Sequence, residues 1–234
     1  MMKMRLGELR RLIREAVGGE RLALCVSETS DRIKIVLYSP AEVLAPGADV
    51  GKLTDSAALR SAVRGYAVFK RPKESLGPCN DAWYVSAIAG VGYGADLYGF
   101  GYSLVPSGRV MPDRIYSAPR AVNAWTKAGK KTDPEGNPVL RKLPLDDIDE
   151  PVTPDPEDDC TLQVPRTRGG PDPILDIAYE GGAAAKDPTP YVRVHEEVLD
   201  RLPDDVPGDR FEAALLTLGS SYFGAEFHKY MREK

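Results

Sequence analysis

Residues 83–104 read WYVSAIAGVGYGADLYGFGYSL, and this stretch decides the fold. An apolar run typical of a buried strand leads into three glycines within five residues, Gly90, Gly92 and Gly94, and a segment compatible with a helix follows. Such a turn brings together the unpaired N–H groups of the first helical turn, which attract anions. Glycine lets the backbone approach a phosphate closely and accepts positive φ. Two interpretations stay open: a tight structural turn and a cradle for a diphosphate.

The glycine pattern differs from two common phosphate-binding motifs. The stretch has no GxxxxGK[ST] lysine, which a P-loop requires. Its three glycines also lack the spacing of the G-x-G-x-x-G dinucleotide fingerprint. Neither motif therefore decides between the two interpretations.

The segments before this stretch predict further strands and a helix. Residues 21–28 and 31–40 are short apolar runs that indicate a hairpin, and residues 66–72 (YAVFKRP) indicate another strand. Between them, residues 54–65 predict a short helix with Thr54 or Ser56 as its N-cap. Because residues 82–90 are almost continuously apolar, we expect a central strand buried on both faces. The fold class is therefore α/β (or α+β), with a mixed central sheet flanked by helices.

The chain divides into four predicted segments. The C-terminal segment contains two helices, the second broken or bent near Gly219. We expect protein partners to bind the basic N-terminal helix (1–19) and the Pro/Asp-rich arm (131–175), because a long segment that becomes ordered on a neighbour covers a large surface. The segments are an amphipathic basic helix (1–19), an α/β core (20–130), an extended Pro/Asp-rich arm (131–175) and a helical C-terminus (176–234).

Composition narrows the function classes. A net charge of −4 over 234 residues provides no field that recruits nucleic acid or an anionic membrane. No apolar run reaches the roughly 18 residues of a membrane span. Three cysteines without a CxxC pair and only two histidines argue against a structural zinc site and a disulfide framework, so no metal site is expected. The odd count predicts reduced thiols and a cytoplasmic protein.

The order strand, glycine turn, helix, connection (VMPDRIYS) and second helix (SAPRAVNAWTKAG, 117–129) resembles the core of the GNAT, or N-acetyltransferase, superfamily over about residues 20–130. In that family a Q/R-x-x-G-x-G/A loop binds the pyrophosphate of acetyl-coenzyme A, and a later helix reads roughly N-x-x-A-x-x-L-Y-x-K-x-G-F. Gly92 and Gly94 match the loop glycines. The later helix is matched in register by Ala121, Ala124, Trp125, Lys127 and Gly129.

The resemblance implies a binding site for acetyl-coenzyme A beside a splayed strand. Its implied cofactor-binding residues are Ser86, Ile88, Gly90, Gly92, Tyr93 and Gly94. The chain departs from the family at the loop start, where Ala89 stands, and at Trp125, which replaces the tyrosine that often acts as the acid. An indole N–H is no general acid near neutral pH. The acid would then be Tyr98, Tyr116 or Tyr93, and Asp81 or Glu28 would serve as the base.

A second function stays open beside the acyltransferase. The N-terminal MRLGELRRLIREA helix, the segment MPDRIYSAPRAVNAW and the LDD…TPDPEDDC arm resemble phage-encoded proteins. This similarity implies a non-catalytic virion or assembly protein that retains the fold, found in the host cytoplasm or in the virion. The altered positions Ala89 and Trp125 favour this alternative, whereas the glycine register favours the transferase.

A cysteine nucleophile is the remaining candidate for a catalytic group. Cys25 or Cys79 as a nucleophile would need His195 or His228 as its base, and no local signature joins them. We therefore expect core thiols and a surface histidine at position 195.

The acidic run 155–159 lacks the spacing of a calcium-binding EF-hand loop, so we expect a solvated charge run.

Overall fold

The structure is a computed structural model that describes residues 20–72, 79–90, 92–113, 119–145, 160 and 177–232. A seven-stranded mixed sheet with the order β1-β2-β3-β4-β5-β7-β6 forms its centre. All neighbours are antiparallel except β4 and β5, which are parallel. The strands are β1 (Ala23–Thr29), β2 (Arg32–Tyr38), β3 (Val63–Lys70), β4 (Trp83–Ala89), β5 (Arg109–Met111), β6 (Arg141–Pro144) and β7 (Ile177–Glu180).

Helices cover both faces of the sheet, which confirms the predicted mixed α/β class. No helix among the described residues is long and apolar enough to cross a membrane. Short 3₁₀ turns occupy Val50–Asp55, Cys79–Asp81 and Gly182–Ala184. The helices are α1 (Pro40–Val43), α2 (Ala57–Ala62), α3 (Gly94–Leu104), α4 (Pro119–Ala128), α5 (Thr189–Leu199) and α6 (Gly208–Arg232).

The two faces of β2 show why the strands are so apolar. Successive side chains of a strand point to opposite faces. Ile33 and Ile35 enter the core under α3 and α4, whereas Val36 and Tyr38 enter the core under α2, α5 and α6. Because each face has its own helical layer, the strand keeps apolar residues at nearly every position.

The predicted hairpin and N-cap are confirmed, but the helix is shorter than the predicted 54–65, because β3 begins at Val63. β1 and β2 form the hairpin, in register from Ala23 opposite Tyr38 to Thr29 opposite Arg32. Ser56 caps α2, since its Oγ accepts a hydrogen bond of 3.1 Å from the Leu59 N–H. The strand β5 was not predicted, because two of its three residues, Val110 and Met111, lie inside the segment assigned as a connection.

The helix α6 is not broken at Gly219, since it runs without interruption over Gly208–Arg232. Glycine is needed there for a different reason. A Cβ at position 219 would lie 2.7 Å from Cδ2 of Tyr66 and 2.9 Å from Cγ2 of Val36. The missing side chain therefore allows the helix to lie close to the sheet.

The segment predicted as an arm begins inside the sheet. Residues 141–144 form β6, which pairs with β7, and Val139, Leu140 and Leu145 are buried beside it. The predicted helix 1–19, residue Tyr116 and the acidic run 155–159 lie outside the described residues, and the side chain of His228 is not described.

The structure corrects the expectation of reduced thiols for two of the three cysteines. Cys79 and Cys160 form a disulfide across a sequence separation of 81 residues. Both are buried in a small third core with Met111 and Ala178. Cys25 is a free thiol and is buried. The disulfide removes the basis on which the cytoplasmic expectation rested.

Candidate functional site

A β-bulge interrupts β4 at Ser86. Val68 of β3 pairs with Ala87, but the next residue, Phe69, pairs with Val85, so Ser86 is one extra residue in β4. A bulge bends its strand and increases the local twist. The second half of β4 therefore takes a different direction from the first half.

The parallel strands β4 and β5 pair at only two positions, which lie at the start of β4 and at the end of β5. β4 pairs with β5 at Trp83–Val110 and Tyr84–Met111, where β5 ends. Beyond these pairs, the described residues supply β4 with no ladder partner on that side. Trp83 and Val85 are buried, but Tyr84 and residues 86–89 are partly exposed, so the expected burial of this strand on both faces is wrong. Because β5 ends at Met111, the second half of β4 continues to the glycine turn without a partner in β5.

The three glycines of the turn have three different roles. Gly90 is a packing position, since a Cβ there would lie 2.8 Å from Cδ1 of Leu97. Gly92 is exposed and has a φ of +84°, a conformation that favours glycine. Gly94 begins α3, and a Cβ there would meet no atom within 4 Å. The space beside the first turn of α3 is therefore open at Gly94.

A network of charged residues fixes the turn to the start of the sheet. The Tyr93 hydroxyl donates a 2.9 Å hydrogen bond to Glu20 Oε2, and Arg64 Nη2 lies 2.8 Å from Glu20 Oε1. Arg64 also pairs with Glu42. Burial alone would raise the pKa of Glu20, but hydrogen bonds from Arg64, Ser39 and Tyr93 outweigh burial and lower it. The Glu20 carboxylate therefore stays charged and holds the turn.

The first turn of α3 carries its own ion pair. Asp96 Oδ1 lies 2.8 Å from Lys186 Nζ, and this ammonium also lies over the rings of Phe100 and Tyr191. The basic groups described around the turn, Arg64 and Lys186, are thus both bound to carboxylates. An anion bound there would depend chiefly on the N–H groups of residues 94–96, which have no intrahelical acceptor.

Two of the candidate acids are held by other contacts: the Tyr93 hydroxyl donates to Glu20, and Tyr98 packs against Trp125. Trp125, at the family's acid position, is 2% exposed and stacks on Tyr179 with ring centroids 4.8 Å apart. The ring of Tyr98 packs edge-on against Trp125 at 4.9 Å, and burial raises the pKa of its hydroxyl. Position 125 is therefore a packing position.

The candidate bases lie at the other end of the sheet. Asp81 precedes β4, whereas Gly90 follows it, and the strand between them spans roughly 20 Å at about 3.3 Å per residue. Glu28 pairs with Ile33 at the same distant end. The structure places neither carboxylate beside the glycine turn.

Sequence reasoning missed a buried cluster on the opposite face of the sheet. His195 is 5% exposed, which corrects the predicted surface histidine. Its Nδ1 lies 2.8 Å from the Tyr38 hydroxyl and its Nε2 lies 2.9 Å from Glu212 Oε1. Burial, with a smaller effect from Glu212, raises the pKa of the neighbouring Cys25 thiol to about 12. The available signal was the helical spacing, which puts His195 on the face of α5 that carries Val198.

The chain matches no protein-family model, no curated protein and no solved structure, so its function is inferred from its own geometry.

Proposed function

We propose that the protein binds an acyl-coenzyme A in the manner of the GNAT superfamily, with the diphosphate against the turn at Gly92–Gly94. The observation that carries the proposal is that β4 continues beyond the Tyr84–Met111 pair, where β5 ends, so that the second half of β4 has no ladder partner on that side among the described residues. This half of β4 leads into the same glycine turn that the family motif matches. The strand order of the sheet and the parallel pairing of β4 with β5 support the same proposal.

The pantetheine arm would lie along the second half of β4. The bulge at Ser86 and the loss of the β5 ladder leave main-chain groups of residues 86–89 on that side without a strand partner among the described residues. Main-chain N–H and C=O groups are obligatory hydrogen-bonding groups, and an extended amide chain satisfies them as a neighbouring strand does. Ser86 and Ile88 are therefore the proposed contacts of the arm.

The diphosphate would be bound by main-chain donors. Gly94 leaves open space beside the first turn of α3, where the N–H groups and the helix dipole favour negative charge. Since Arg64 and Lys186 are committed to carboxylates, we expect little contribution from side-chain cations. An affinity in the micromolar range, rather than a tighter one, is consistent with this arrangement.

Acyl transfer to an amine is the reaction that such a complex would support. A main-chain N–H near the end of β4 would stabilise the thioester oxyanion. The acid would be Tyr98, Tyr116 or Tyr93, because Trp125 cannot serve. The buried, stacked position of Trp125 favours a second candidate function, a non-catalytic assembly protein that retains the fold.

A thermal-shift titration with coenzyme A tests the proposal. Ligand that binds the native state raises the melting temperature by mass action. We expect a saturable rise at micromolar coenzyme A for the wild type. Gly94→Ala should fold normally, because its Cβ meets no atom, yet bind about tenfold more weakly, since the methyl group occupies the ligand's space.

Gly224→Ala is the matched control, because a Cβ at that position of α6 also meets no atom within 4 Å. It should respond to coenzyme A as the wild type does. No shift at millimolar coenzyme A, or equal responses of the two alanine variants, would contradict the proposal and leave the assembly role.

A further inference from the structure

The buried cluster of Cys25, His195 and Glu212 combines three kinds of metal ligand. One donor atom from each residue, a thiol sulfur, an imidazole nitrogen and a carboxylate oxygen, lies within 4.8 Å of the other two. The residues come from β1, α5 and α6, which are far apart in sequence and meet on the face of the sheet opposite the glycine turn. The cluster is thus separate from the proposed coenzyme A site.

The spacing suits a tetrahedral ion. With bonds of about 2.0–2.3 Å, the ligand atoms around Zn²⁺ lie about 3.3–3.8 Å apart. The donor atoms here need to approach by at most about 1 Å, and the 2.9 Å pair of His195 Nε2 and Glu212 Oε1 needs to open by about half an ångström. Side-chain adjustments of this size need no rearrangement of the three elements.

Tyr38 supplies the outer contact that a metal-binding histidine requires. Its hydroxyl oxygen lies 2.8 Å from Nδ1 of His195. When Nε2 binds a metal, Nδ1 carries the proton and donates a hydrogen bond to the Tyr38 oxygen. This bond fixes the tautomer and the orientation of the imidazole ring. The Tyr38 ring is fully buried and packs against the edge of the imidazole, so it holds this orientation.

Charge and access also favour a cation. Within the described part of the chain, the ion-pair partner of the Glu212 carboxylate is His195, and no Lys or Arg pairs with it. The Glu212 side chain is 41% exposed, whereas that of His195 is 6% exposed. The carboxylate therefore provides an entry path from solvent to two buried ligands, and the fourth position of the ion would face that path.

We propose that Cys25, His195 and Glu212 form a site for Zn²⁺ or a similar divalent ion, with a fourth position open to water. Binding forms one metal–sulfur, one metal–nitrogen and one metal–oxygen bond, and the thiol proton of Cys25 is released to solvent. A thiolate, an imidazole and a carboxylate together suit Zn²⁺ better than the all-oxygen sites of Mg²⁺ or Ca²⁺. The ion would join β1 to α5 and α6.

Cobalt substitution tests the site directly, because Co²⁺ bound to a thiolate gives a sulfur-to-metal charge-transfer band. In the full chain with its disulfide intact, Cys25 is the free thiol, so such a band reports on Cys25 alone. We expect the band to saturate at one Co²⁺ per chain, together with the visible bands of a four-coordinate ion. Added Zn²⁺ should abolish both sets of bands.

Variants assign the ligands. Cys25→Ser should remove the charge-transfer band, while His195→Gln and Glu212→Gln should shift the visible bands and weaken Co²⁺ binding. Tyr38→Phe should retain the band but lower the affinity about 10–100-fold, as loss of an outer contact does. Glu196→Gln, an exposed carboxylate next to His195, is the control and should bind Co²⁺ as the wild type does.

Two outcomes would overturn the site. One is the absence of a sulfur-to-cobalt band in folded wild-type protein at excess Co²⁺. The other is a band that persists unchanged in Glu212→Gln and His195→Gln, both verified as folded by circular dichroism. Either result would mean that His195 is only a hydrogen-bonded core residue between Tyr38 and Glu212.

Discussion

Glu20 illustrates how one side chain at the start of the sheet controls the glycine turn. Its carboxylate accepts hydrogen bonds from Tyr93 of the turn and from Arg64 of β3. Since these bonds are made to the charged form, they outweigh the cost of partial burial and lower the pKa of Glu20. The turn is thus tied to the first and third strands by a single charged group.

The lowered pKa of Glu20 predicts a pH-dependent contribution to stability. A group whose pKa is lower in the folded state stabilises the fold fully above its unfolded pKa of about 4.3, and this contribution is lost as the pH falls below that value. We expect Glu20→Gln to lower the free energy of unfolding by about 1 kcal/mol at neutral pH, since its hydrogen bonds are charge-assisted but partly exposed. Urea unfolding across the pH range measures this.

Glu28→Gln is the control for this experiment, because Glu28 is an exposed carboxylate of β1, the strand that follows Glu20. It should change stability little at any pH. A difference between wild type and Glu20→Gln that stays constant from neutral pH to pH values below about 4 would contradict the assigned role.

At the scale of the element, α6 depends on a glycine where it crosses the sheet. Gly219→Ala would place a methyl group against Tyr66 and Val36 at 2.7 and 2.9 Å. Overpacking of this kind costs about 1–3 kcal/mol, which exceeds the gain in helix propensity from replacing glycine. We expect a lower urea midpoint for this variant.

Gly224→Ala in the same helix separates packing from propensity. A Cβ there meets no atom within 4 Å, so the substitution should raise the stability by up to about 1 kcal/mol. If both variants were stabilised, α6 would not lie as close to β2 and β3 as the structure places it.

Elements defined by local patterns could be predicted from the sequence. The β1–β2 hairpin, the Ser56 cap and the succession of β4, glycine turn and α3 follow from alternation, capping and turn residues within a few positions. β5 could not be predicted, because three residues carry no periodicity and become a strand only by pairing with β4 and β7. β6 was missed for the same reason, within a proline-rich stretch.

The candidate sites likewise contain some features that local sequence patterns predict and others that depend on contacts between distant segments. The open position at Gly94 and the positive φ of Gly92 follow from the glycine pattern itself. The bulge at Ser86 depends on register with β3, which no local pattern records. The Cys25, His195 and Glu212 cluster depends on how α5 and α6 pack against β1, so separate positions in the sequence gave no indication of it.

At the scale of the whole molecule, the disulfide joins the segment before β4 to residue 160. Closing so long a segment restricts the unfolded chain, and native disulfides typically contribute about 2–4 kcal/mol. We expect reduction to lower the urea midpoint of the wild type. The double variant Cys79→Ala, Cys160→Ala should unfold at that lower midpoint with or without reductant.

A thiol count under denaturing conditions checks the same pairing. Protein prepared without reductant should titrate one thiol per chain, from Cys25, and reduction should raise the count to the full three cysteines. Three reactive thiols before reduction would show that Cys79 and Cys160 are not joined.

The sheet, its two helical layers and the second half of β4, which extends beyond the end of β5, together support one central claim, that coenzyme A binds along this half of β4 and at the glycine turn. Amide hydrogen exchange with and without coenzyme A measures this most directly, because bound ligand protects the main-chain groups that it contacts. We predict slower exchange in peptides that cover residues 85–98, and no change in α6 or the β1–β2 hairpin. Protection confined to other segments, or no protection at saturating coenzyme A, would contradict the claim.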